Sequence, residues 1–542
     1  VVAGAAGQEI RTPAPPHTPR INGARVYGER PGRPFLYTIP AIGDQPLHYV
    51  AQGLPPGLTL DGETGRITGS VASAGSFGVT VSATNALGSD HRPLKIVIGD
   101  QIALTPPLGW NSWNCFASAV DQQKVEAAAH AMVDKGLIRH GWTYINIDDT
   151  WQGTRDPAGD HPLRSNEKFP DLKKLSDDIH AMGLKAGLYS TPWMTSYAGR
   201  CGGSSDSADG TWVPTQYVAA INHNPGWQEG KYRFMPADAR QFAVWGFDYL
   251  KYDWNPITVD QTKEMTDALL ASGRDLVYSL SNGAQQSVGD QLGQLSNSWR
   301  TTGDIIDTWH SMTANGFSQN SWAKFGGPGH WNDPDMLVVG WVGWGPELHQ
   351  THLTADEQYT HITLWSLLAS PLLIGCDMTR LDDFTLNLLT NDEVLAVNQD
   401  ELGKQATRLS EDPAAGTEVW ARPLADGTMA VGLFNRGRYE VLPPRDHTWD
   451  PMPADPAYKV HDRMTGKSID YPDEAAAVAA LAKLAAPAKM TLDLGKLPLG
   501  ASAAGAPVRD LWRQKDLAAE NGAITMDVAF HGAELLKVGT PR

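Results

Sequence analysis

Four pairs of polar residues interrupt otherwise apolar, aromatic runs. They are Asp148 and Asp149 after "YINI", Lys251 and Asp253 in "YLKYD", Arg300 and Asp304 in "WRTTGD", and Asp333 and Asp335 in "WNDPD". A carboxylate withdrawn from water without a partner costs free energy, so acids in such runs call for a chemical reason. Glycoside hydrolysis needs two carboxyl groups, one ionised to attack or stabilise the anomeric carbon and one protonated to assist the leaving oxygen. Asp253 suits the first role. Lys251, two residues away on the same face of an extended strand, should lower its pKa and keep it anionic. Asp304 can donate the proton if it is less strongly paired. Roughly 5–5.5 Å between the two would retain the anomeric configuration and ~6.5–9.5 Å would invert it. Trp110, Trp113, Trp151, Trp193 and Trp254 fall near the same run ends. Acids mixed with indoles describe a carbohydrate site, because Asp accepts hydroxyl hydrogen bonds while an indole face packs on the C–H face of a sugar ring. Plainer roles compete for each group: a helix cap for a lone Asp, a local ion pair for Arg300 and Asp304, a turn for "NDPD", and core packing for a single Trp.

Residues so far apart in the chain meet only if an element order brings them to one place. After Thr105 short apolar strands alternate with amphipathic helices; the strands are "LGWNSWN", "YINIDD", "KAGLYST", "YLKYDWN", "DLVYSLS", "SWRTTGD", "HWNDPDML" and "PLLIGCD". Helical stretches such as "DQQKVEAAAHAMVDKGL", "DLKKLSDDIHAMG", "ADARQFAVWG" and "VDQTKEMTDALLASG" repeat apolar residues three and four apart. Eight such units predict a (β/α)8 TIM barrel over residues 103–402, with functional residues at the C-terminal strand ends. Ahead of it, residues 20–102 hold short alternating runs broken by Gly, Pro and Asn, which predict an Ig-like β-sandwich. Residues 1–19 read as a signal remnant and a proline-rich tether. Beyond Gly403 strands return, predicting a C-terminal antiparallel β-domain over 403–542, with the Ala-rich "DEAAAVAALAKLAAPAK" as a helical insertion. The fold class expected is therefore multidomain, a catalytic barrel flanked by two β-sandwiches.

Composition narrows the partners. The 542 residues carry a formal net charge of -17 with no Lys/Arg block, which makes nucleic acid and anionic lipid surfaces poor partners and favours a neutral small ligand. No apolar run approaches the ~18–20 residues of a membrane span. Cys115, Cys201 and Cys376 lack CxxC spacing, against a zinc or disulfide framework, and allow at most one intrachain disulfide. No metal or organic cofactor is expected. The opening "VVAGAAGQ" reads as the end of a removed signal peptide or as an expression boundary; secretion, extracellular or periplasmic, is the expectation. Nothing in the sequence assigns an oligomeric state.

The motifs "LGWNSWNCF", "INIDDTW", "LKYD", "WRTTGDI", "GHWNDPDMLVVG", "LLASPLLIGCDM" and "VLAVNQD", in this order, resemble glycoside hydrolase family 27, the α-galactosidase and α-N-acetylgalactosaminidase family. The likeness continues through "EVWARPL" and "VRDLWRQKD", and "LPPGLTLDGETGRITGSV" resembles Ig-like modules that precede many bacterial glycosidases, implying a spacer or adhesion role. The resemblance implies a retaining double displacement without cofactor, with Asp253 as nucleophile and Asp304 as acid/base. It further implies that Asp148 and Asp149 bind the 4- and 6-hydroxyls, that Lys251 and Arg300 contact other hydroxyls, that Trp113 and Tyr189 line the wall, and that Asp335 and Met336 form the floor. Two departures stand out. The tract that reads the 2-substituent is replaced by "SLSNGAQQ", making Ser281 and Asn282 the expected substrate contacts, and Asn255 stands where many relatives carry a cysteine paired with one like Cys201. A small polar loop leaves room near C2, so α-N-acetylgalactosaminide or β-L-arabinopyranoside are alternatives to an α-galactoside. A non-catalytic sugar-binding barrel is a further reading, and a purely adhesive protein would leave the acids unexplained.

Overall fold

The structure is a computed structural model that describes residues 9–213, 224–444, 455–499 and 505–541. Its centre is an eight-stranded parallel sheet, curled into a barrel. We label its strands β1 (Leu108–Asn111), β2 (Tyr144–Asn146), β3 (Lys185–Ser190), β4 (Tyr249–Asp253), β5 (Val277–Ser281), β6 (Ser298–Arg300), β7 (Trp331–Asp333) and β8 (Leu372–Ile374). From β1 to β7 each strand pairs with the next, and β1 also pairs with β8. The ring closes between β7 and β8 through Leu337, whose N–H donates to the Leu373 carbonyl at 2.8 Å and whose carbonyl accepts from the Gly375 N–H at 3.0 Å. All eight expected strands are present. A side chain at Gly187 in β3 would lie 1.9 Å from Asn146 Oδ1, so only glycine leaves room for the polar group inside the barrel at that layer.

The expected helices form where sequence provides starts for them: Asp121 caps Gln122–Asp134, Asp171 caps Leu172–Ala181, and Thr258 caps Val259–Ala271, each side chain accepting a backbone N–H. Helix Ala355–Leu367 differs, being buried at every residue from Glu357 to Leu367. It lies between the barrel and the six-stranded C-terminal sheet, so it has no solvent face to make polar. Hydrogen bonds from Trp512 Nε1 to Thr363 Oγ1 (2.8 Å) and from Thr360 Oγ1 to the His531 carbonyl (2.7 Å) fasten it to that sheet. The run "ITMDVAFHGAELLKV" forms two strands: Ala523–Val528 and Ala533–Val538 belong to different sheets, with His531 between them at φ 59°. The Ala-rich insertion forms helix Glu474–Ala482.

The N-terminal module is a sandwich of a four-stranded and a three-stranded sheet spanning Val26–Ile98. It sits against the N-terminal end of the barrel, opposite the expected mouth. There Lys185, the first residue of β3, reaches the Tyr27 hydroxyl and Glu29, and Arg30 pairs with Asp275 at 2.8 Å. The tether reading of the preceding segment needs correction at residues 9–12. Arg11 pairs with Asp356 at 2.6 Å and stacks on Tyr359, and Asn391 Nδ2 donates to Thr12 Oγ1 at 2.9 Å, so this stretch is tied to the body of the protein. "VVAGAAGQ" lies outside the described residues. All three cysteines are free and buried, Cys201 included.

Candidate active site

The register of the barrel gathers the polar residues. Tyr189 on β3 stands beside Lys251 on β4, which stands beside Ser279 on β5; Asp253 stands beside Ser281, and Arg300 on β6 beside Asp333 on β7. These are C-terminal strand ends, where a parallel barrel presents its side chains to a mouth. Asp253 is 6% exposed, and its Oδ1 accepts from Asn282 Nδ2 at 2.7 Å. Lys251 Nζ donates to Asp148 Oδ2 at 2.8 Å, and Asp148 Oδ1 accepts the Asp149 N–H. Arg300 Nη2 lies 3.0 Å from Asp335 Oδ2 and 3.1 Å from Asp304 Oδ1. Ser281 is buried, its hydroxyl near Asn282 Oδ1 at 3.4 Å. Trp113 and Met336 are half-buried and buried respectively, on the β1 and β7 loops.

Asp149, which the resemblance assigns to hydroxyl binding, and Asp335, which it assigns to the floor, prove to be largely engaged by the protein. Asp149 Oδ1 accepts from Ser196 Oγ and the Thr150 N–H, and Oδ2 from the Ala198 N–H at 2.9 Å. Asp335 Oδ2 accepts the Ile305 N–H at 2.8 Å as well as facing Arg300, and thereby fixes the chain next to Asp304. Thr150 and Asp335 both hold left-handed backbone, at φ 84° and 89°. Non-glycine residues pay roughly 1–3 kcal/mol for such conformations, which recur where function dictates side-chain direction. Among the described residues the Tyr189 hydroxyl, which is buried, has no hydrogen-bond partner, and it is surrounded by the charges of Asp253, Asp149 and Asp148. A buried orphan donor at the mouth suits a ligand hydroxyl.

Electrostatics corrects a second expectation. Burial pushes the Asp253 carboxyl up to about 7; Lys251 pulls it down, but the charges of Asp304 and Asp148 push it up again. Lys251 therefore does not by itself keep Asp253 ionised, because burial outweighs the pull of its charge. Asp304 is the opposite case. Desolvation raises its carboxyl, but Arg300 and Lys251 outweigh it and leave the group below the ordinary range, with a side chain 69% exposed. Burial thus favours the proton on Asp253, and Arg300 favours the charge on Asp304. Asp333 is raised to about 6 by burial, with Arg300 opposing and Asp335 adding to the rise.

Of the five tryptophans expected at the mouth, four are buried, Trp193 at 7% exposure and three almost completely. Trp110, Trp151 and Trp254 are at most 1% exposed, their indole N–H groups given to the Cys376 carbonyl, the Tyr189 carbonyl and Gln261 Oε1. On the loop after β3 sequence reasoning named Trp193 but missed Tyr197. Tyr197 packs with Trp193 and Trp227 at centroid distances of 5.2 and 5.0 Å, and its hydroxyl meets Asn282 while feeling the charge of Asp253. The available signal was the hydroxyl-and-aromatic run "WMTSY" after the third barrel strand.

Comparison with known proteins gives the same arrangement a context. Residues 105–210 and 218–400 match the family model described as "Alpha galactosidase A", residues 18–99 match "Putative Ig domain", and residues 414–480 and 468–538 match "Alpha galactosidase C-terminal beta sandwich domain". "Alpha-galactosidase 2" of Arabidopsis thaliana is 38% identical over 368 residues, covering 67% of this chain and 83% of that protein. A solved "putative alpha-galactosidase" from Bacteroides fragilis superposes with TM-score 0.78 at 29% identity, covering 98% of this chain and 99% of the other. A β-L-arabinopyranosidase from Geobacillus stearothermophilus superposes with TM-score 0.59 at 25% identity, covering 81% and 97%.

Proposed function

The chain belongs to the α-galactosidase family of glycoside hydrolases, family 27, and from that premise we propose that it removes terminal α-D-galactosyl residues by a retaining double displacement. The observation carrying the proposal is the pair of unlike carboxyl groups at one mouth: Asp253, buried and hydrogen-bonded by Asn282, and Asp304, exposed and held by Arg300. In the first step an Asp253 oxygen attacks the anomeric carbon as the glycosidic bond breaks, and the leaving oxygen takes its proton from Asp304. Asp304, now ionised, removes a proton from water, which attacks the anomeric carbon and releases Asp253. Exposure of Asp304 to the mouth suits a group that serves first the leaving alcohol and then water. Lys251 and the unpartnered Tyr189 hydroxyl would hold sugar hydroxyls.

The protonation preference described above does not block this scheme. Reaction runs through the arrangement in which Asp304 carries the proton and Asp253 does not, the reverse of the preference that burial and Arg300 set. Asp253→Asn should lower turnover of a nitrophenyl α-galactoside at least about a thousandfold in folded protein, as removal of a nucleophile does elsewhere. Near-normal activity would sink the assignment, and NMR of the first-formed anomer tests retention.

One observation favours a second sugar. With Asp149 already accepting three hydrogen bonds, a pyranoside lacking the 6-hydroxymethyl group, such as a β-L-arabinopyranoside, would forgo little. A nitrophenyl glycoside panel separates the two. Secretion is also part of the proposal, supported by the likeness of the N-terminal module to those of bacterial glycosidases; activity in culture medium rather than in cells tests it.

A further inference from the structure

At the rim of the barrel, three residues on from Asp304, a second constellation has no place in the sugar chemistry. Asp307 is 5% exposed and turns one oxygen, Oδ2, toward two imidazoles: His349 Nε2 at 3.2 Å and His352 Nδ1 at 3.1 Å. The same oxygen accepts the His352 N–H at 2.9 Å, which fixes the loop around it. The two rings stack at 4.7 Å with 24° between their planes, and all three ligand atoms lie within 4.8 Å of one another. His349 is held by a short antiparallel pair, Trp341–Val342 with His349–Gln350, so its position is set by backbone and not by side-chain preference alone.

We propose that Asp307, His349 and His352 form a site for one divalent cation of the zinc class. The donor set is two imidazoles and one carboxylate, which suits borderline transition metals and not Mg²⁺ or Ca²⁺, whose sites are built from oxygen. Zinc bonds to nitrogen and oxygen are about 2.0–2.1 Å long, and tetrahedral placement of such bonds puts neighbouring donors a little over 3 Å apart, close to both edges seen here. Side-chain exposures of 40% for His349 and 54% for His352 leave a way in and an open coordination position for water. No second carboxylate is required, and the nearby His310 is occupied by Glu440 at 3.1 Å.

The ion would join two loops that shape the mouth. Asp307 follows Asp304 on the β6 loop, while the hairpin bearing His349 is fastened to the β1 loop by the Gly343 and Trp344 N–H groups, which donate to the Asn114 carbonyl at 3.0 and 3.1 Å. Asn114 adjoins Trp113. A bound cation therefore staples the acid/base loop to the hairpin beside the aromatic wall, without touching the reacting atoms.

The test uses the untagged full chain, freed of metal by chelation and dialysis. Titration calorimetry with ZnCl2 should show one saturable equivalent, MgCl2 should show none, and CoCl2 should give the visible absorption bands of an imidazole-ligated ion. His349→Ala and His352→Ala, both at exposed positions, should each weaken zinc binding by more than the roughly 10–100-fold that loss of an outer-shell partner costs. Asp307→Asn, which keeps an acceptor for the His352 N–H, should do the same. Binding through thiols is disfavoured at the outset, since all three cysteines are buried. Absence of a saturable equivalent in the parent chain would overturn the proposal, as would unchanged affinity in the histidine variants. Either result leaves the glycosidase reading untouched, because that reading is measured by turnover of metal-free protein.

Discussion

Asp253 sits where burial and hydrogen bonding pull in opposite directions, and two measurable consequences follow at that residue. The first concerns rate. On the proposed mechanism, below Asp304's lowered pKa both carboxyls are protonated and the nucleophile is lost; above about 7 both are ionised and the acid is lost. The kcat/KM profile should therefore be bell-shaped with its alkaline limb near pH 7, and a limb well above pH 9 would refute the pairing. The second concerns stability. A carboxyl raised from 3.8 to about 7 binds its proton more tightly in the folded than in the unfolded state, so folding loses stability as pH rises between those values. Asp253→Asn removes that loss. It should raise stability at pH 8 by up to about 4 kcal/mol, read as a higher melting temperature, and give no advantage below pH 4. A destabilised variant at pH 8 would mean that the Asn282 hydrogen bond outweighs desolvation.

At the scale of elements, the mouth depends on loops that are themselves braced by buried charge. Arg155 and Asp238 form a two-pronged pair at 2.8 Å for both prongs, with exposures of 1% and 0%. The pair binds the hairpin Gln152–Arg155 with Leu163–Ser165, just after Asp148 and Asp149, to helix Met235–Trp245, just before β4. Arg155 also donates to the Gly202 carbonyl, reaching the β3 loop. Removing one member leaves an uncompensated buried charge, so Asp238→Ala should cost about 3–5 kcal/mol by denaturant unfolding. A loss under ~1 kcal/mol would show that water reaches the guanidinium. Sequence offers no hint of this brace, because Arg155 and Asp238 are 83 positions apart and each reads as ordinary surface charge. The strands and capped helices were legible, since their signals are local periodicity and a capping side chain. Helix Ala355–Leu367 was not, because a helix covered on all sides has no alternating face to read.

For the whole molecule, the N-terminal module acts as part of the body. Its contact with the barrel buries Glu29, Lys185 and Asp275 together, and burial raises the Glu29 carboxyl to about 8 despite Lys185. The full chain should melt in a single calorimetric transition. Asp275→Lys, which sets a cation against Arg30 and near Lys185, should split off a lower transition for the module; one unchanged transition would show that the docking contributes nothing. A spacer role for the module is hard to reconcile with such a seat, since a spacer needs a joint that bends.

Sequence by itself determined the eight-strand barrel, the two flanking β-domains and the carboxyl groups at strand ends, because strand alternation, helix periodicity and motif spacing are properties of neighbouring residues. It also singled out Asp253, Asp304, Lys251 and Arg300 as a group. Tertiary structure decided how those groups divide their partners: Lys251 goes to Asp148, Asn282 to Asp253, and Asp149 to the Ser196–Ala198 loop. It moved three indoles from the mouth into the core and brought Tyr197 in. The reason is the same throughout. Burial and distance set the energy of a charge, and both are fixed by contacts between residues that the chain order keeps far apart.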